Sequence, residues 1–319
     1  MRVVSLLPSA TETLCLLGGS RLLVGRSHEC DYPPEVQDRP ILTGQITDFT
    51  TSSAVDAAVS EALAEGTSLY TLNTQLLRDL RPDVILTQDL CEVCSIDLST
   101  VRGAAASMDP QPRIVSLDPH TFEAVLDDVL TVGRAAGLME EARAAVVGLR
   151  ERFSRAADHV PAFYEGPRLA FLEWTDPIFV GGHWTPQLVE RAGARHSLNP
   201  TAPSAEEGAG EMAQGAGRVA GKSRRVTIEE FTASRPERIV ICPCGLSLEQ
   251  TEREAAALME QAWFRETPAA STEGAIALVD GNQMFNRPGP RLVDAFEWLV
   301  GWLNERPDLI PEGFPWRAV

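Results

Sequence analysis

The chain carries six cysteines, and five of them stand where predicted β-strands end. Cys30 lies in the stretch His28-Glu29-Cys30-Asp31-Tyr32-Pro33-Pro34. Cys91 and Cys94 form a CxxC just past an apolar run at 84–87, and Cys242 and Cys244 flank Pro243 just past a run at 238–241. Two thiolates separated by two residues in a turn can both reach one ion, which makes the CxxC a metal half-site. In the Cys-Pro-Cys, alternate side chains of an extended segment diverge, so only one sulfur, that of Cys244 beside Gly245, is expected to face a ligand cleft. In a reducing compartment such spacings indicate metal or redox chemistry before a structural disulfide. Cys30, Cys91, Cys94 and Cys244, with His183 as a spare ligand, would suit zinc or an iron–sulfur cluster. The sixth, Cys15, falls in an apolar helical run and is expected in the core.

These motifs need a scaffold that brings strand ends together. The 319 residues allow about two domains, and 44% apolar with 23% charged residues suit a soluble globular chain. The first half alternates strand with helix. Val3-Val4-Ser5-Leu6-Leu7 leads into Pro8-Ser9-Ala10-Thr11-Glu12, where Ser9 and Glu12 have capping-box spacing and Gly18-Gly19 would stop the helix. Further strands are expected at 22–25, 84–87 and 113–117, with helices at 52–65 and 76–80. Such alternation predicts a parallel sheet with helices on both faces, whose strand ends border a ligand crevice.

Residues 120–159 differ, because apolar positions recur at helical spacing from Phe122 to Val132 and, after Gly137, from Met139 to Phe153. The second stretch is long for a globular helix and is expected to connect two lobes. The fold class is therefore α/β, with two Rossmann-like lobes of parallel strands, at 1–136 and 161–319, joined by a connector helix at 137–160. In the second lobe, strands are expected at 168–174, 239–241 and 276–279, and helices from Trp184, near 227–233, over 249–263 and from about 290 to 304. The Gly/Ala/Ser/Pro-rich stretch 199–225 is expected to be mainly loop.

The formal charge of −17 argues against nucleic-acid binding. No apolar run approaches the roughly 18–20 residues that membrane insertion requires. Met1-Arg2 runs directly into the first strand with no visible signal peptide, so a cytoplasmic protein is expected. No Gly-x-Ser-x-Gly, phosphate loop or His-Glu-x-x-His is present, so the chain is more readily a binding protein than an enzyme.

Four passages carry a resemblance. They are Arg2-Val3-Val4-Ser5-Leu6-Leu7-Pro8-Ser9-Ala10-Thr11-Glu12, then Val24-Gly25-Arg26-Ser27 with Asp31-Tyr32-Pro33-Pro34, then Leu80-Arg81-Pro82-Asp83-Val84-Ile85, and Asn286-Arg287-Pro288-Gly289-Pro290-Arg291. In this order, around a long central helix, they resemble the class III substrate-binding proteins of ABC importers, closest to the cobalamin-binding type. The resemblance implies a ligand held in a cleft between two lobes, most simply cobalamin or another corrinoid or tetrapyrrole. It assigns ligand contact to Ser9, Asp31 and Tyr32 in the first lobe. In the second it assigns Trp174, Gly182, His183, Trp184, Phe285, Asn286 and Arg287, with His183 able to ligate a metal. Family members dock on their transporter through one carboxylate per lobe; here Gln75 takes the first position and Glu229 or Glu230 the second. Docking on an ABC transporter is therefore in doubt. Two alternatives stay open beside ligand binding: a zinc or iron–sulfur metalloprotein built on the cysteines, and an enzyme using the same cleft for chelatase or redox chemistry.

Overall fold

The structure of the protein is a computed structural model that describes residues 1–46, 50–65, 67–89, 96–162, 165–203 and 218–319. Two compact units divide it. The first holds Met1–Thr50, Ala54–Pro119 and Ala124–Leu149; the second holds Thr51–Ser53, His120–Glu123 and Arg150–Val319. The boundary falls inside the 19-residue helix Met139–Ala157 expected as the connector. That helix is set off from the preceding helix Phe122–Ala136 by Gly137, whose φ of 72° lies where glycine alone is unstrained.

In the first unit a four-stranded parallel sheet runs in the order Leu23–Arg26, Val3–Ser5, Val84–Gln88, Arg113–Leu117. The central strands Val3–Ser5 and Val84–Gln88 are buried throughout, as parallel strands covered on both faces must be. Val4, Leu6, Ile85, Leu77 and Val101 form the core on one side. The expected capping box at Ser9 and Glu12 does not form. Pro8 opens the helix Pro8–Leu16 with Leu7 as its uncapped N-cap, because proline already holds the helical φ. Ser9 and Glu12 are consequently buried within the helix, and the Ser9 carbonyl accepts the Thr13 hydroxyl at 2.7 Å.

The second unit departs from the expected all-parallel sheet. Its six strands run Arg224–Arg225, Ile178–Val180, Leu169–Thr175, Arg238–Ile241, Ile276–Val279, Trp316–Ala318. Only the central three are mutually parallel; hairpin partners and the C-terminal strand pair antiparallel. The cause is local: Asp176-Pro177 turns the chain straight back from Leu169–Thr175 into Ile178–Val180, too tightly for a crossover. The segment 199–225 is less irregular than expected where it is described, since Ala202–Pro203 pairs with Arg218–Val219 and Arg224–Arg225 joins the sheet. One face of the sheet buries Phe171 against Phe285, whose ring in turn meets Trp298, with centroid separations of 4.9 and 5.8 Å along that chain of rings. Phe153 stacks between Phe122 and Phe296 at 4.4 and 3.8 Å. Among the described residues no helix is long and apolar enough to cross a membrane.

Candidate functional site

The strand Leu169–Thr175 and its hairpin partner build most of the second unit's candidate site. Their register slips between Leu172 and Trp174, leaving Glu173 as an extra residue that re-aims the side chains beyond it. Trp174 emerges half-buried, and its indole N–H donates to the Ser52 carbonyl at 3.1 Å. Ser52 is itself held: its hydroxyl bonds the Glu254 carboxylate at 2.5 Å and meets the Thr175 hydroxyl at 2.9 Å. The Trp174 ring is thus fixed at both its backbone and its polar edge.

After Ile178–Val180 the chain turns through Gly181, Gly182 and His183 into the helix Trp184–Arg191. Gly182 has no room for a side chain, since a Cβ there would lie 2.1 Å from the Ser223 nitrogen. His183 has φ 53° and ψ −117°, a conformation that costs a non-glycine residue on the order of 1–3 kcal/mol. Its N–H is nonetheless bonded to the Gly221 carbonyl at 2.9 Å, so the segment leading into the strand Arg224–Arg225 enforces the turn. The imidazole stacks on the Trp184 indole with centroids 5.6 Å apart and is half-buried.

Trp184 and Phe285 lie beneath this turn. Trp184 is 7% exposed and donates its indole N–H to the Phe285 carbonyl at 2.8 Å, while the Phe285 ring is fully buried. Asn286 bonds the Cys242 and Gly281 carbonyls at 3.2 and 2.8 Å, tying two strand-end loops together. Arg287 is buried. In the first unit, Ser9 is buried, Asp31 is half-buried with its carbonyl accepting from Gln37, and Tyr32 is exposed. The structure brings His183 and Trp184 together at one turn, with Phe285 bonded beneath Trp184, while Trp174 is anchored separately through Ser52.

The cysteine site finds no support among the described residues. Cys30 is fully buried, and its sulfur accepts the Thr11 hydroxyl at 3.1 Å. Cys242 is fully buried too, and burial first, then the nearby Glu173, pushes its thiol well above the usual range, away from the thiolate that metals require. Cys244 is exposed. Cys91 and Cys94 lie outside the described residues. Among the described residues no group of three or more His, Cys, Asp or Glu is gathered for a metal. The zinc or iron–sulfur centre on Cys30, Cys91, Cys94, Cys244 and His183 is therefore unsupported. Cys15 is half-buried rather than fully core, and burial, with Glu35 and Glu12, raises its thiol to about 12.

Two features carry no signal that the sequence pattern isolates. His120, just past the strand Arg113–Leu117, brings its Nδ1 to 3.4 Å from that of His183. Asp118-Pro119-His120 marks a strand-end turn, whereas apolar periodicity places His120 at the start of the helical stretch. The second is a cavity of about 860 Å³ in the second unit, lined by residues including Thr175, Pro177, Arg225, Glu254 and Trp263. None of the ligand residues expected from sequence lines it, and it opens beside the hairpin turn at Asp176-Pro177 rather than at His183.

No family model matches the chain. A curated cobalamin-binding protein of Halobacterium salinarum is 24% identical over 295 residues, covering 92% of this chain. The chain spans 66% of that relative's length. Among solved structures, a periplasmic heme-binding protein from Pseudomonas aeruginosa matches with TM-score 0.68 and 21% identity, over 95% of this chain and 92% of that one. The periplasmic vitamin B12-binding protein of Vibrio cholerae matches with TM-score 0.64 and 18% identity, over 96% and 97%. An ABC transporter substrate-binding protein from Listeria monocytogenes matches with TM-score 0.66 and 16% identity, over 95% and 98%. The cytoplasmic expectation is corrected by these likenesses, since the heme-binding and vitamin B12-binding proteins of like fold are themselves named periplasmic.

Proposed function

We propose that this chain, which has the fold of the class III substrate-binding proteins, binds a metal-bearing corrinoid or tetrapyrrole, with cobalamin as the first candidate. The observation that carries the reading is the strained turn Gly182-His183-Trp184. It holds an imidazole against the face of the Trp184 indole, and a second tryptophan of the same unit, Trp174, is fixed through its bond to Ser52. A half-buried imidazole backed by an aromatic ring offers one metal-seeking nitrogen, which suits a macrocycle with a central metal. The curated relative named cobalamin-binding supports the corrinoid, and the heme-binding structures of the same fold support tetrapyrroles more broadly.

In this reading Trp174, His183 and Trp184 meet the ligand on the second unit. Phe285, Asn286 and Arg287 hold their loop, and Ser9, Asp31 and Tyr32 contribute from the first unit. A transporter partner belongs to the same proposal. Glu229 and Glu230 stand exposed in the first turn of the helix Ile228–Ala233, and exposed Gln75 bonds the Asp79 carboxylate at 3.0 Å, one turn along its own helix.

Titration with cyanocobalamin, dicyanocobinamide and hemin, followed by visible absorbance and calorimetry, tests the reading. One-to-one binding of at least one of them is expected, weakened by Trp174→Ala. Failure of all three to bind would remove the proposal.

A further inference from the structure

The His120 and His183 rings belong to one unit, yet they come from loops 63 positions apart in the chain. Their Nδ1 atoms are 3.4 Å apart and their ring centroids 5.5 Å. A divalent zinc-like ion binds imidazole nitrogen at about 2.0–2.1 Å. Two such bonds to nitrogens 3.4 Å apart subtend an angle of about 110°, which is the tetrahedral value. The two axial ligands of one planar macrocycle would instead sit on opposite faces, about 4 Å apart by the same bond lengths. The pair therefore has the spacing for adjacent positions on one open ion and not for both faces of a metal already enclosed in a ring.

The chain also holds the second ring in place. His183 keeps a left-handed backbone conformation, its N–H is bonded to Gly221, and its ring is stacked on Trp184. His120 is exposed at the end of a parallel strand, so the ion would be reached from solvent.

We propose that His120 and His183 form a two-imidazole site for a single borderline divalent transition-metal ion, bound through the two Nδ1 atoms. Its remaining positions are open to water or to donor atoms of an incoming chelating ligand. This site shares no cysteine with the unsupported zinc or iron–sulfur centre, and it does not require that the protein bind a macrocycle.

The test uses the full chain, freed of metal by chelator, and Co²⁺ alone as the probe. One equivalent of Co²⁺ is expected to give the intense visible bands of tetrahedral coordination and to be displaced by Zn²⁺. His120→Ala and His183→Asn should each weaken Co²⁺ binding by about tenfold or more. Asparagine is chosen at position 183 because it tolerates a positive φ. Should His183→Asn fold poorly by circular dichroism, exposed His120→Ala still decides the matter. Undiminished Co²⁺ binding in His120→Ala, or no binding by the parent protein, would overturn the site. Hemin and cobinamide titrations are run separately on the parent, so loss of the macrocycle reading and loss of this one are told apart.

Discussion

Gly182 shows how narrowly the candidate site is specified at the scale of one residue. The missing Cβ is what lets the Lys222-Ser223 backbone lie against it, with 2.4 Å from that Cβ position to the Lys222 carbonyl carbon. Backbone cannot yield as a flexible side chain can. Gly182→Ala should therefore displace the Arg224–Arg225 strand or the His183 turn and cost about 1–3 kcal/mol. A lowered Tm together with weakened ligand binding is the expected result, and a variant with unchanged Tm would contradict the packing described. The sequence singles out this residue only through Gly181-Gly182 beside a histidine. The partner that demands the glycine is hidden there, because Lys222 and Ser223 arrive from a distant part of the chain.

At the scale of elements, the helix Phe122–Ala136 buries an acid. Asp128 is half-buried, and burial first, then Asp127 and Asp118, raises its carboxyl to about 7. The folded state therefore holds this proton more tightly than the unfolded chain, whose aspartates titrate near 3.9. The resulting stability is fully present below about pH 4 and is lost as pH rises through about 7. Asp128→Asn should flatten that decline, so its Tm is expected to exceed the parent's at pH 8 and to match it near pH 4. Equal pH profiles for the two proteins would count against the burial of this carboxyl. The periodic apolar positions make this helix legible, and the same is true of Met139–Ala157 with its glycine stop. The parallel core strands are legible as uninterrupted apolar runs. The antiparallel edges of the second sheet are not, because Arg224–Arg225 and Trp316–Ala318 are short, polar or half-exposed and carry little pattern of their own. The capping box at Ser9 fails because Pro8, one residue earlier, is the stronger start signal. Strand-end position fixes where Cys30 and Cys242 leave the sheet, but not that both sulfurs end up fully buried.

For the whole molecule, the two units share one chain but have separate sheets and separate cores. A ligand that binds the folded state alone adds stability by mass action, about 2.7 kcal/mol at one hundred times Kd. In scanning calorimetry a true corrinoid or tetrapyrrole ligand should raise the transition temperature progressively with concentration. Binding seen by absorbance without any such shift would mark nonspecific adsorption of the macrocycle.

The backbone at His183 has a consequence for lineages. Glycine would occupy that turn without strain, and a glycine codon is reached from a histidine codon by two base changes. A lineage that no longer used the imidazole would relieve that strain by making the exchange, at the cost of the ring's stacking on Trp184. Position 183 thus records descent in a way the buried core cannot, since core residues persist whether or not the protein still binds anything. Aligned descendants that keep histidine there have paid for it in every generation.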